Sequence, residues 1–251
     1  MLLFPAIDLI FGDVVRLREG RRDRVNVYSH DPVAVAQDFV AQGSSWVHVV
    51  DLSRAFGEDK QACQANRTAL KAICQVPGLC VDTGGGVRSL KDIEELLGLG
   101  VERVSIGTAL IADPKFAQEA AKQYPDAIVA DVAVKDGLVR VNAWRTQERL
   151  NVDEVVKRLV SLGFCHLVFT DIARDGMQTG IDTSVMKHIA ELAGFPIVAS
   201  GGIATLEDIR ALAALGPQVI EAAIVGRALY EKNFTLKEAL EAAQGGKSDA
   251  V

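Results

Sequence analysis

The chain has 251 residues, 49% hydrophobic and 24% charged, with 27 basic against 33 acidic side chains and a net charge of −6 at pH 7. Disorder as the main state is excluded, because it requires low hydrophobicity and high net charge. A nucleic-acid surface is disfavoured, since no basic excess exists to neutralise phosphates.

A chain of this length buries roughly three quarters of its unfolded-state surface, so neither disulfides nor metals are needed to hold it. Cys63, Cys74, Cys80 and Cys165 form no C-x-x-C pair, which fits reduced thiols in a cytoplasmic protein. Cys80 and Cys165 fall in apolar runs and are expected in the core. The apolar opening, residues 1–11, lacks a basic leader and is interrupted by Pro5 and Asp8, so it reads as a strand and not as a secretory signal. No run approaches the ~18 uninterrupted apolar residues of a membrane span.

Taken in chain order, eight short apolar runs occupy residues 2–8, 47–51, 79–83, 103–107, 127–131, 166–171, 196–200 and 222–226. Between them lie segments of helical period that start near Pro32, Asn66, Ser89, Pro114, Asn151, Asp182, Thr205 and Thr235. Several starts carry N-terminal helix chemistry: Asp31-Pro32, Ser89 with Asp92, Asp113-Pro114 and Thr205 with Asp208. Strands that are Val/Ile-rich throughout, each followed by a helix, predict an α/β fold with a closed parallel sheet, a single (β/α)8 TIM barrel. The barrel is expected over residues 1–244, with 245–251 as a loose tail.

The sequence also repeats. Gly85 to Ile93 matches Gly201 to Ile209 at an offset of 116 residues, and Ile106 to Leu110 matches Val225 to Leu229 at 119. Gly43 to Leu52 matches Gly163 to Ile172 at 120, and Ala6-Ile7-Asp8 matches Val129-Ala130-Asp131 at 123. Four blocks in one order at nearly one offset predict two (β/α)4 halves, about 1–123 and 124–244, on opposite sides of the barrel axis.

In such barrels the reactive groups lie at the C-terminal ends of the strands. Asp8 and Asp131 close the first and fifth runs, so two carboxylates are expected to face each other across the mouth. Such a pair can divide general-acid and general-base roles if its environments separate the two pKa values; a lone strand-end Asp could equally cap the loop that follows. The glycines supply a second signal. Gly84-Gly85-Gly86 follows the third run and Gly107-Thr108 the fourth, while Ser200-Gly201-Gly202 follows the seventh and Gly226-Arg227 the eighth. Glycine admits an oxyanion close to backbone N–H groups, and the loops after strands seven and eight are the usual barrel phosphate site. The repeat places a second such site opposite, so the ligand should be long, with a phosphate at each end. No G-x-G-x-x-G follows the first run, no lysine stands at a strand end for Schiff-base chemistry, and His30, His48, His166 and His188 are too scattered for a metal. His48 and His166 begin strands and read as structural, and Asp51 as orienting its loop.

Phe4-Pro5-Ala6-Ile7-Asp8-Leu9, Val15-Arg16-Leu17, His48-Val49-Val50-Asp51-Leu52 and Gly84-Gly85-Gly86-Val87-Arg88 resemble the ProFAR isomerase family of histidine biosynthesis. So do Thr170-Asp171-Ile172-Ala173-Arg174-Asp175-Gly176, Ala199-Ser200-Gly201-Gly202 and Val225-Gly226-Arg227-Ala228-Leu229-Tyr230, and the likeness extends over about residues 1–244. The resemblance implies an Amadori rearrangement of an aminoaldose to an aminoketose, without metal or organic cofactor. It also implies a bisphosphorylated ribotide substrate and a monomeric, cytoplasmic enzyme. By that analogy Asp131 protonates the ribose ring oxygen, Asp8 removes the C2 proton and Thr170 hydrogen-bonds near the reacting centre. Asp175, with Gly176 beside it, steadies the substrate or the sixth loop. Arg16 and Arg88 are candidates for anion contacts or for structural salt bridges, and Trp144 for stacking on the imidazole or packing on the rim.

Two departures stand out. Asp82 precedes the first glycine loop where the family more often has a less acidic pair, and is expected to face the helices. Asn142 stands where a related dual-substrate isomerase, which also acts on phosphoribosylanthranilate, carries an arginine, although Arg140 and Arg145 lie nearby. The rival readings are that dual enzyme, the sibling cyclase of the same pathway, and a non-catalytic phosphoribosyl-binding protein.

Overall fold

A computed structural model describes residues 1–18, 21–141, 146–174 and 180–245. In chain order these form β1 (Leu2–Ile10), β2 (Asp13–Arg18), β3 (Arg21–Ser29), α1 (Pro32–Ala41), β4 (Trp46–Asp51), α2 (Leu52–Phe56) and α3 (Lys60–Ile73). They continue with β5 (Cys80–Gly84), α4 (Leu90–Leu97), β6 (Arg103–Ile106), α5 (Thr108–Ala112), α6 (Pro114–Gln123), β7 (Ile128–Lys135), β8 (Leu138–Val141) and β9 (Thr146–Asn151). The last part holds α7 (Val152–Ser161), β10 (Leu167–Asp171), α8 (Thr183–Ala193), β11 (Ile197–Ser200), α9 (Leu206–Ala214), β12 (Ile220–Val225), α10 (Arg227–Tyr230) and α11 (Leu236–Ala243).

Eight of the strands pair in parallel in the cyclic order β1, β4, β5, β6, β7, β10, β11, β12, and β12 returns to β1. The sheet is therefore closed, and the fold is the expected (β/α)8 barrel. Alternate residues face its axis. Phe4 and Ala6 meet Val129, Val168, Val198, Ala222 and Ile224 inside the ring, while Leu3, Ile7, Val49, Val81, Ile106, Phe169 and Val225 pack outward under the helices. With both faces buried the strands carry no polar stripe, which is why they read as continuous apolar runs. At the N-terminal end Phe4 stacks on Trp46 with ring centroids 5.0 Å apart, and Arg103, 2.7 Å from Glu221, covers the indole.

Helix starts follow the capping chemistry of the sequence. Asp31 and Asp113 accept from the first turns of α1 and α6 ahead of Pro32 and Pro114, Ser89 caps α4, and Thr205 with Asp208 forms a capping box on α9. One start differs from the sequence expectation: α3 begins at Lys60, with Asp59 as its cap. Asn66 is instead buried within the helix, its amide donating to the Leu9 carbonyl and to Asp51. Cys165 is a second correction, because β10 begins only at Leu167 and the thiol lies exposed in the preceding turn, near the Pro125 carbonyl; Cys80 is only partly buried. The largest addition is the β2–β3 hairpin, on which β1 continues antiparallel past Asp8, as β7 continues into β8 and β9 past Asp131. Among the described residues no helix is long and apolar enough to cross a membrane, and no group of His, Cys, Asp and Glu is arranged to hold a metal.

Candidate active site

The C-terminal ends of the barrel strands open into a cavity of about 250 Å³. Asp8 from β1, Asp131 from β7 and Thr170 from β10 all line it, together with Gly85, Gly86, Gly107, Thr108, Ser200 and Gly226. Arg16, Arg88, Arg140 and Arg227 supply its positive side chains. Gly84, Gly201 and Gly202 stand one step back. Gly84 ends β5 against Ser105, where an added Cβ would lie 3.2 Å from that side chain. Gly201 and Gly202 follow Ser200 under the cavity wall, against Asp171 and Arg174. Trp144, Asp175 and Gly176 lie outside the described residues.

The glycine loops are built alike. Gly85 and Gly201 both have positive φ, 107° and 86°, and an added Cβ would meet the backbone oxygen of Asp51 at 2.3 Å in one case and of Asp171 at 2.5 Å in the other. Only glycine allows that conformation and that approach together. Asp51 is kept in place as the cap of α2, accepting from the Arg54 amide and from Asn66, so orienting a loop is indeed its work. Burial raises its pKa, against the pull of those hydrogen bonds.

Asp8 and Asp131 occupy unlike surroundings. Arg16, which lies on β2 and is brought beside β1 by the antiparallel hairpin, donates from Nη1 to Asp8 at 2.7 Å. Its guanidinium lies over the Tyr230 ring, and Tyr230 itself is held by donation from its hydroxyl to the Ala6 carbonyl at 2.8 Å. Burial pushes that phenol well above the ordinary tyrosine range. Among the described residues no guanidinium pairs with Asp131 in this way. Burial raises its carboxyl from 3.8 to about 6; nearby His48 opposes the rise and Asp82 adds to it.

Asp82 is where the sequence reading needs correction. Its partner His48 lines the cavity, with Nδ1 2.6 Å from Asp82. Asp82 does not face the helices. It is 1% exposed and lies inside the barrel between His48 and Ser105, whose hydroxyl donates to it at 3.0 Å. Its neighbour Thr83 takes the outward direction and donates to the Val49 carbonyl. Burial alone would lower the His48 pKa, but the Asp82 charge and hydrogen bond, with Asp131 and Asp8 beyond, turn the shift upward.

The arrangement can perform acid–base chemistry on a bound anionic molecule. One carboxyl keeps its proton to higher pH than an ordinary aspartate, the direction that suits a general acid. The other is paired with a guanidinium, which is the partner of a carboxylate. Gly107 and Gly226 present equivalent backbone corners on either side.

Comparison with known proteins gives a consistent result. The sequence model described as histidine biosynthesis protein matches residues 2–235. A Rhodopseudomonas palustris protein named 1-(5-phosphoribosyl)-5-((5-phosphoribosylamino)methylideneamino) imidazole-4-carboxamide isomerase is 42% identical over 240 residues, 96% of this chain and 96% of its own length. Proteins of the same name from Desulfitobacterium hafniense and Moorella thermoacetica are 43% and 41% identical. They cover 96% and 98% of this chain, and 95% and 100% of their own lengths.

Proposed function

The chain belongs to the histidine biosynthesis protein family, and on that premise we propose how it works as the aldose–ketose isomerase whose name those relatives carry. The substrate is a small ribotide with a phosphate at each end. One phosphate binds at the Gly85, Gly86 and Gly107 corner and the other at the Ser200 and Gly226 corner, where backbone N–H groups and the side chains of Arg88 and Arg227 receive it. Thus an acidic protein can hold a dianion at each end without a basic surface.

The unlike environments of Asp8 and Asp131 carry this reading. Asp131, held near 6 by burial, gives its proton to the ribose ring oxygen; the C1–O bond breaks and the nitrogen lone pair forms a protonated Schiff base. Asp8, kept as a carboxylate beside Arg16, removes the proton from C2, and the electron pair forms the C1–C2 double bond of an enolamine. Loss of the O2 proton and protonation of C1 then give the ketone, so the reaction is an isomerisation with nothing gained or lost. Thr170, 5% exposed on the cavity wall, hydrogen-bonds near this centre. The near-symmetry of the two halves leaves acid and base interchangeable on residue types alone; the neighbours of each carboxylate support this order.

The chain is read as a cytoplasmic monomer, with residues 1–244 as one barrel of two halves and no nucleic-acid partner. Turnover of ProFAR by the purified protein in the absence of ammonia tests the function, because the sibling cyclase requires ammonia. Failure to turn over ProFAR alone would overturn the reading. One observation favours a second activity on phosphoribosylanthranilate: Arg140 lines the cavity, and its buried Nε has no hydrogen-bond partner among the described residues. A substrate carboxylate in the cavity would meet the Arg140 guanidinium. A parallel assay on both substrates decides, and no turnover of the second substrate removes that activity from consideration.

A further inference from the structure

Asp82 is an ionisable group at 1% exposure inside the barrel, and burial of a charge is costly unless partners compensate it. Its partners are His48 Nδ1 at 2.6 Å and the Ser105 hydroxyl at 3.0 Å, both from adjacent strands of the barrel. The strand register places them. His48 is the direct partner of Asp82 across β4 and β5, and His48 is in turn the partner of Ala6, two residues before Asp8. With Nδ1 committed to Asp82, Nε2 is the ring nitrogen left over, and His48 is among the residues that line the cavity.

The groups facing His48 are Asp82 on β5, Asp131 on β7 and Asp8 on β1. Arg16 stands beyond Asp8, and Arg140 lies on the cavity wall. Arg103 on β6 adjoins Asp82 in register but turns to Glu221 at the other end of the barrel. Three carboxylates thus act on one imidazole, and one of them, Asp8, is itself paired with Arg16.

We propose that Asp82 is a positioning residue for the isomerisation: it fixes the His48 ring with Nδ1–H toward itself and Nε2 toward the cavity, so that His48 carries the positive charge opposite Asp131 once that carboxyl has given up its proton. A carboxylate behind a histidine sets both the tautomer and the basicity of the outward nitrogen. In this chain it does so one layer below the reacting groups. The inference rests on the isomerase reading, because it needs Asp131 to ionise during turnover.

The test has a spectroscopic arm and a kinetic arm. In 15N-histidine NMR of the wild-type protein, His48 should hold its proton on Nδ1 and titrate at Nε2 with a midpoint above that of an ordinary histidine. In Asp82→Asn the midpoint should fall by about one pH unit or more. Kinetically, Asp82→Asn should lower kcat about tenfold with KM within about twofold. At Asp131 the His48 charge outweighs that of Asp82, so losing both charges should move the alkaline limb of kcat to higher pH. Asp82→Glu should restore part of kcat, which a general packing defect would not allow. A wild-type His48 with Nδ1 unprotonated overturns the proposal without any variant having to fold, and so does an unshifted midpoint or limb in Asp82→Asn. Absence of wild-type turnover would instead overturn the isomerase reading and, with it, the catalytic part of this inference.

Discussion

The corner that holds Gly107 and the corner that holds Gly226 have nearly the same backbone, with φ and ψ of −107° and −95° in one and −107° and −99° in the other. What stands beside each glycine is opposite in charge. An added Cβ at Gly107 would come 3.7 Å from Asp131 Oδ2, whereas at Gly226 it would lie within the Arg16 guanidinium, 1.5 Å from Nη2. Equal frames can therefore carry unequal chemistry. Burial pushes Asp131 toward its acid form, while Asp8 keeps the Arg16 guanidinium as its counter-ion. On the mechanism we propose, the division of labour between acid and base would follow from these neighbours and not from the strand ends that bear the groups.

The severest way to break the comparison is to remove each carboxylate in turn. Asp8→Asn and Asp131→Asn should each lower kcat by about 10²–10⁴-fold, the usual contribution of a positioned acid or base, while KM changes little. Steady-state kinetics on ProFAR checks this, and wild-type-like turnover in either variant would remove that residue from its role.

The same two substitutions should part company in stability. The Asp131 carboxyl titrates near 3.8 when unfolded and near 6 when folded. Between about pH 4 and 6 the native state keeps a proton that the unfolded chain has lost, so stability falls as pH rises through that window. The full cost above it is up to about 3 kcal/mol. Asp131→Asn abolishes the titration, so relative to the wild type it should gain stability from pH 4 to pH 8. Urea unfolding at the two pH values measures the difference, and Asp8→Asn, which loses an ion pair, should show no such gain.

The glycines sharpen the likeness where the aspartates sharpen the contrast. Gly85→Ala and Gly201→Ala each force a methyl into backbone, at Asp51 and Asp171, from a left-handed conformation. Backbone cannot yield as a side chain can, so each should cost at least about 2 kcal/mol, and by similar amounts. A thermal melt in which one loses several degrees and the other none would show that the two loops are not equivalent supports.

Most of this frame was legible in the sequence, because a repeat of residue types at one offset is a property of the chain before it folds. The glycine pairs, Asp8 with Asp131, and the capping residues all belong to that class. The β2–β3 hairpin did not, since residues 13–29 are rich in charge and lack an apolar run of the kind that marks the barrel strands. The orientation of Asp82 was lost for a different reason. In a closed parallel barrel both faces of a strand are buried, so alternation no longer tells inside from outside, and Asp82 and Thr83 read equally well either way. Only the register, which sets His48 opposite Asp82, shows which of them joins the site. Arg16 was recognisable as an anion contact, but not as the group that fills the space beside Gly226, which lies 210 residues further along the chain.

That last contact gives the gentlest test. A methyl at Gly226 would meet the far end of a flexible side chain, and φ there is not positive, so Gly226→Ala should fold with little loss. The guanidinium must move, however, and it cannot move without leaving Asp8 or the Tyr230 ring. With its counter-ion displaced, Asp8 loses the hydrogen bond that holds it in place, and kcat should fall about tenfold, equivalent to about 1.4 kcal/mol. The melting temperature should stay within a degree or two. Arg16→Met, which removes the cation without crowding the glycine, should lower kcat at least as far. If Gly226→Ala were slow while Arg16→Met were not, the glycine would be acting on the substrate phosphate alone, and the link between this corner and the base on β1 would be broken.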